Sequence, residues 1–166
     1  AGEHRPRSRN DRSMLLSAAR AAVFNAVLDT RVQAGDWHCA EPGEILMLDG
    51  RGSVFLADPA DARHNRLRAA GLRVHPTGPL PGRPGRGLGL PAPLAARENR
   101  VMQDWADLVE GLSDQGLEAG RRALRLSVGA LAVRRLDGRT WQLAFRLMRG
   151  AYATTVLREL IDWDNA

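Results

Sequence analysis

Whatever binding chemistry this chain has rests on arginine. All 24 of its basic residues are arginine, against 19 acids, giving a formal net charge of +5 and a pI near 11.0. A guanidinium grips phosphate with two parallel hydrogen bonds and stacks on bases, so the excess fits a nucleic-acid partner. A GC-rich genome would also favour arginine codons over lysine, and both readings stand. Arg5, Arg7, Arg9 and Arg12 crowd the start of the chain, and Arg9 and Arg12 read as phosphate contacts or as part of a solvated basic segment. Arg83 and Arg86 lie in a run of glycine and proline, which is either an RNA-facing loop or a solvated linker. The single tyrosine, Tyr152, stands where the apolar run Trp141–Met148 has passed through Gly150 into a helical sequence. That presents an aromatic ring at a strand's end with a helix behind it, or else buries it as the helix's anchor. Arg158, on the same helix, either faces a phosphate or pairs with Asp162 four residues on. Thr154 and Thr155 suit the helix's first turn, where a hydroxyl can satisfy a free backbone amide.

Other chemistries find little here. His38-Cys39 has no second ligand pair at zinc spacing, and His4, His64 and His75 are scattered. Gly85-Arg-Gly-Leu-Gly89 sits among prolines rather than between a strand and a helix, so it is not a nucleotide loop. One cysteine, Cys39, excludes an intrachain disulfide and fits a reducing compartment. No apolar run approaches the roughly 18 residues of a membrane span. Trp37, Trp105, Trp141 and Trp163 read as core or domain-seam residues.

The elements that must position these residues follow from local signals. Residues 1–12 read as extended, with Ser13 capping a helix to about Ala34 whose apolar positions recur at helical spacing. Glu44–Leu48 and Ser53–Ala57 read as a hairpin across Asp49–Gly52. Asp58-Pro59 opens a helix closing near Gly71, with a short strand over Leu72–Val74. Pro76 to Pro93 is too rich in glycine and proline for regular structure. Helices are expected over Leu94–Leu112 and Leu117–Leu126, then a hairpin of Val128–Val133 and Arg139–Met148, and a last helix over Tyr152–Ile161.

Four runs occur in one order along nearly the whole chain: Arg12–Asn25, Asp49-Gly-Arg-Gly-Ser53, Thr77-Gly-Pro-Leu-Pro-Gly82 and Arg149–Ile161. Together they closely resemble the TruD family of tRNA pseudouridine synthases. The resemblance implies an isomerase that converts a uridine of tRNA, at position 13, to pseudouridine, with neither cofactor nor metal. It implies an α+β fold in two parts. Residues 1–126 resemble the family's inserted α/β domain without its first part, and 127–166 the closing hairpin and helix of the catalytic domain.

The family's nucleophilic aspartate belongs to a Gly-x-Lys-Asp motif well upstream, followed by a motif with Asn, Phe, Gln and Arg. Neither is present, and the chain has no lysine at all. It starts at Ala1 rather than methionine, so the expectation is the C-terminal portion of an enzyme, inactive alone. Tyr152 takes the place where family members usually carry phenylalanine, and the resemblance implies that its ring stacks on the extruded uridine. Arg158 would then face the catalytic aspartate or a phosphate. Arg9, Asn10 and Arg12 are similar to the family's Arg-x-Asn-x-Arg-Ser stretch, with phosphate as the implied partner. The implied partner is tRNA and the implied compartment the cytoplasm, with oligomeric state open. The other reading is a stand-alone RNA-binding module derived from the insertion domain.

Overall fold

Ser8, not Ser13, starts the first helix. Its hydroxyl accepts the Asp11 N–H at 3.0 Å, and Asp11 adds a carboxylate to the positive end of the helix, so α1 runs Arg9–Gln33. Arg9 and Arg12 therefore lie on the first turns of α1 and not in an extended arm. The computed structural model of the chain describes residues 8–85, 89–148 and 150–161. It forms two compact units, Ala1–Arg125 and Leu126–Ala166.

In the first unit, β1 (Ile45–Leu48) and β2 (Val54–Leu56) form the expected antiparallel hairpin. Asp58 caps a single 3-10 turn, Pro59–Asp61, by accepting the Ala60 N–H, and α2 (Ala62–Ala70) follows. The next strand departs from the sequence reading. β3 spans Val74–Leu80 and includes Pro76, Gly78 and Pro79, residues that the sequence reading assigns to irregular structure. The prolines are tolerated because the neighbours of β3 change along its length. β1 pairs only with Val74–Pro76 on one edge, and a further strand pairs only with Thr77–Leu80 on the other.

That further strand, β4 (Gly120–Ala123), lies where the sequence predicts a helix over Leu117–Leu126. Long-range pairing overrides local propensity here, since the partners of β4 are some forty residues upstream in β3. The expected helix over Leu94–Leu112 is two, α3 (Ala92–Gln103) and α4 (Ala106–Asp114). The sheet order is β2-β1-β3-β4.

Two packings cover this sheet. Ala69 of α2 joins Leu46, Val74, Ala40 and Ala57, with Leu48 and Phe55 at the margin. α1 packs on β3 and contributes Val23, Phe24 and Val27 to the core. A Cβ at Gly78 would stand 3.0 Å from Phe24 Cε2 and 2.9 Å from Leu124 Cδ2, so glycine lets helix and strand close. Gly82 is tighter, because a Cβ there would come 2.5 Å from the Leu117 carbonyl oxygen. Backbone cannot yield as a side-chain tip can, so Gly82→Ala should lower stability by at least about 1–3 kcal/mol in urea unfolding. An unchanged midpoint would refute the close approach of residues 82 and 117–119.

In the second unit, β5 (Gly129–Arg135) and β6 (Trp141–Arg146) form an antiparallel hairpin across Asp137-Gly138, with a bulge between Gly129 and Ala132. The short helix α5 (Ala153–Arg158) follows. Both sheets are antiparallel and the fold is α+β. Trp37, Trp105 and Trp141, read as core or seam residues, are exposed, and Trp163 lies outside the described residues. No helix among the described residues is long and apolar enough to cross a membrane.

Candidate nucleic-acid interface

The arginines of the first unit divide by what answers their charge. Arg31 is buried, and its Nη1 and Nε reach Glu44 and Asp36 at 2.7 Å each. Its Nη2 donates to the carbonyls of Asp36 and Cys39, so one guanidinium of α1 holds the whole 36–44 loop. Arg97 of α3 adds bonds to Asp36 and Glu41. Burial holds the Glu44 carboxyl above its ordinary range even against the Arg31 charge. Burial pushes Asp36 the same way, yet the Arg97 hydrogen bond and Arg31 keep it below. Arg121 of β4 makes a two-pronged bridge to Glu98 of α3, 2.7 Å on each arm, and donates to Thr77 of β3. These side chains are engaged in holding the unit together.

A second group has no carboxylate partner among the described residues. Arg20 of α1 donates from Nη2 to the backbone oxygens of Leu80, at 3.3 Å, and Glu118, at 2.9 Å. Its buried Nε lacks a hydrogen-bond partner. Desolvation, and then the charge of Arg122, lower the Arg20 pKa below its usual value. Arg122 itself is exposed and lies over the Phe24 ring, 5.4 Å from its centroid. Arg12 donates to the Gln115 side chain, across the turn after α4.

Arg83 is bound into that turn as well. Its N–H donates to the Leu117 carbonyl at 2.6 Å, and its Nε donates to the Ser113 carbonyl at 3.3 Å. A cation at the C-terminal end of α4 is favourably placed against the helix dipole. Of the two loop arginines, Arg83 is thus ordered by the turn, and Arg86 lies outside the described residues.

Sequence reading missed a further arrangement around His75. This buried imidazole lies 2.7 Å from Asp49 Oδ1 and accepts the Arg125 Nε–H at Nδ1, 3.0 Å away. A guanidinium can only donate, so Nδ1 must be bare and the proton sits on Nε2, facing Asp49. Arg125 also donates to the carbonyls of Ala69 and Val74, closing the end of the unit. No spacing in the sequence links positions 49, 75 and 125. Among the described residues, no three His, Cys, Asp or Glu side chains gather as a metal ion would require.

In the second unit, Tyr152 is 74% exposed and has extended backbone at the N-cap of α5. Gly150, at φ +91, turns the chain just before it. The ring is not an anchor in a core of this chain. Arg158 is exposed in the last turn of α5. Six residues at 3.6 per turn carry it about 240° around the axis from Tyr152, so the two do not share a face. Asp162, its alternative partner, lies outside the described residues. The hairpin keeps Leu131, Val133 and Trp141 exposed, with Arg135 5.7 Å above the centroid of the Trp141 ring.

The family model described as tRNA pseudouridine synthase D (TruD) matches residues 6–160. A tRNA pseudouridine synthase D of Nitrosococcus oceani is 47% identical over 172 residues, covering 100% of this chain and 46% of that protein. One of Xanthomonas campestris pv. campestris is 48% identical over 160 residues, with 94% and 42% covered. The chain thus spans under half the length of the curated relatives it matches. The crystal structure of a Methanosarcina mazei protein described as tRNA pseudouridine synthase D shares the fold, with a TM-score of 0.60 at 24% identity. It covers 84% of this chain and 36% of that one. The chain, matched over residues 6–160 of its 166, belongs to the TruD family of tRNA pseudouridine synthases.

Proposed function

We propose that this chain works as part of a tRNA pseudouridine synthase that isomerises the uridine at position 13 of tRNA. In that reaction the bond from ribose C1′ to uracil N1 breaks, the uracil rotates, and C1′ rejoins the base at C5. No atom is gained or lost overall, since the hydrogen removed from C5 is balanced by one taken up at N1. The nucleophilic aspartate lies outside these residues, and the enzyme acts in the cytoplasm, where its tRNA is found. Residues 1–126 serve as the inserted domain, and 127–166 close the catalytic domain. The boundary between compact units at Arg125 and Leu126 supports that division.

The observation that carries the reading is Tyr152, exposed on an α5 N-terminus within the region matched to the family. Extruding a uridine removes its stacking on neighbouring bases, and an aromatic face restores roughly 1–3 kcal/mol of it. Arg158, exposed on the same helix, is the candidate contact to a phosphate or to the aspartate. Arg9, Arg12, Arg83 and Arg86 are candidate contacts to the tRNA backbone. The exposed apolar side chains of the β5–β6 hairpin fit a strand pair that completes a larger sheet.

The test is direct. Residues 1–166 alone should form no pseudouridine in an unmodified tRNA transcript. A longer protein that supplies the Gly-x-Lys-Asp region of a relative should form it at position 13. Product made by the 166-residue chain itself would overturn the division of labour. A longer protein that binds tRNA yet leaves every uridine unchanged would favour an RNA-binding module.

A further inference from the structure

Three arginines of the first unit, Arg31, Arg97 and Arg121, are each met by carboxylates at 2.7 Å. The same fold leaves Arg20 and Arg122 without any such partner among its described residues, although Arg20 is partly buried. Buried or half-buried cations are ordinarily paired, because losing water costs a charge far more than it costs a neutral group. Arg20 meets only carbonyl dipoles, and Glu118 offers it the backbone oxygen rather than the carboxylate. Phe24 follows Arg20 by one helical turn, and the Arg122 guanidinium lies on that ring, so both cations flank one aromatic residue. Their mutual repulsion adds to the burial of Arg20 in lowering its pKa. Arg12 and Arg83 reach the same turn, through Gln115 and through Ser113 and Leu117. The acids of these segments, Asp11, Asp114 and Glu118, form no ion pair with any of the four arginines.

We propose that Arg20 and Arg122, flanked by Arg12 and Arg83 around the α4–β4 turn, form a surface that binds the phosphodiester backbone of RNA. This rests on the tRNA reading above and adds to it a specific site. An external phosphate supplies the counter-charge that the described residues do not, and the guanidinium of Arg122 is exposed to receive it. Arg20 also ties the end of β3, at Leu80, to Glu118 ahead of β4, so Arg122 is the residue to change.

Binding of an unmodified tRNA transcript to the 166-residue chain should be followed by fluorescence anisotropy across a series of KCl concentrations. Each phosphate neutralised contributes a slope of roughly 0.7–0.9 to the fall of log affinity with log salt. Arg122→Gln should weaken binding severalfold and lower that slope by about 1. Arg122→Lys keeps the charge and should keep the slope. Arg63→Gln, an exposed arginine of α2, serves as the charge-matched control and should leave the slope unchanged.

Equal losses for Arg122→Gln and Arg63→Gln would show diffuse attraction and overturn the site. A steep slope that Arg122→Gln does not alter would overturn the site while leaving the tRNA reading intact. A wild-type chain that ignores tRNA at low salt also overturns it, and the isomerisation assay then judges the enzyme reading separately. Inorganic phosphate is the second arm. If it protects the wild type but not Arg122→Gln against melting, while their tRNA slopes agree, the site takes free phosphate and the RNA assignment fails.

Discussion

Arg31→Met should destabilise the fold by about 3–5 kcal/mol, and the deficit should be largest at neutral pH. The substitution leaves the buried Glu44 carboxylate without its cation, Asp36 without one of two, and two loop carbonyls without their donor. Removing one partner of a buried pair carries this penalty because the other charge stays desolvated. The pH dependence follows from opposite shifts. Burial raises the Glu44 carboxyl in the folded state, so its ionisation opposes folding, and stability falls as pH rises from the ordinary carboxylate value through the folded one. Without Arg31 that effect deepens, and protonating Glu44 near pH ~4 should restore part of the loss. Asp36 has the opposite sign. Burial works against it, but Arg97 and Arg31 hold its carboxyl below the ordinary value. Its stabilisation is therefore present above that value and is lost as pH falls through the folded one. Urea midpoints at pH 7 and near pH 4 should then converge for wild type and variant. A deficit that is the same at both would remove Glu44 from the explanation. Glu44→Gln, which keeps an acceptor and drops the charge, should lose less than Arg31→Met.

What could be read from the sequence was the local part. Both hairpins have their two strands close together with Asp-Gly in the turn, so a short window contains the partners. The Asp58-Pro59 start of the α2 region is equally local. β3 and β4 were illegible for one physical reason. Their identity lies in pairing across some forty residues, while glycine and proline in one point to irregular structure and the other lies in a stretch read as a helix. The sequence points to Ser13 as the cap of α1, and Ser8 takes that place. Ser8 prevails because Asp11, three residues on, lends an N–H to its hydroxyl and a carboxylate to the first turn. The candidate site divides in the same way. Tyr152 stands out as a candidate because glycine, tyrosine and helix are contiguous. Arg20 and Arg122 do not stand out in the sequence, because their want of a counter-charge among the described residues appears only once β4 is placed beside α1.

Tyr152 carries the other large effect. In a longer protein that isomerises uridine, Tyr152→Ala should lower rate or affinity about ten- to a hundredfold, the equivalent of the 1–3 kcal/mol that one stacked base gains from an aromatic face. Tyr152→Phe keeps the face and should retain most activity. The 74% exposure of the ring makes stability a clean control. An exposed side chain outside the core changes stability by within about 0.5 kcal/mol, so the 166-residue alanine variant should unfold at the wild-type midpoint. The phenylalanine variant separates stacking from hydroxyl chemistry. If Tyr152→Phe were as inactive as alanine, the phenol oxygen would be the working group, and a hydrogen bond to the base or the backbone would replace stacking. If both variants kept full activity, the uridine would be held elsewhere, and the ring would be only the exposed N-cap of α5. Loss in alanine alone, with both variants folded, is the pattern that an extruded base resting on an aromatic face requires.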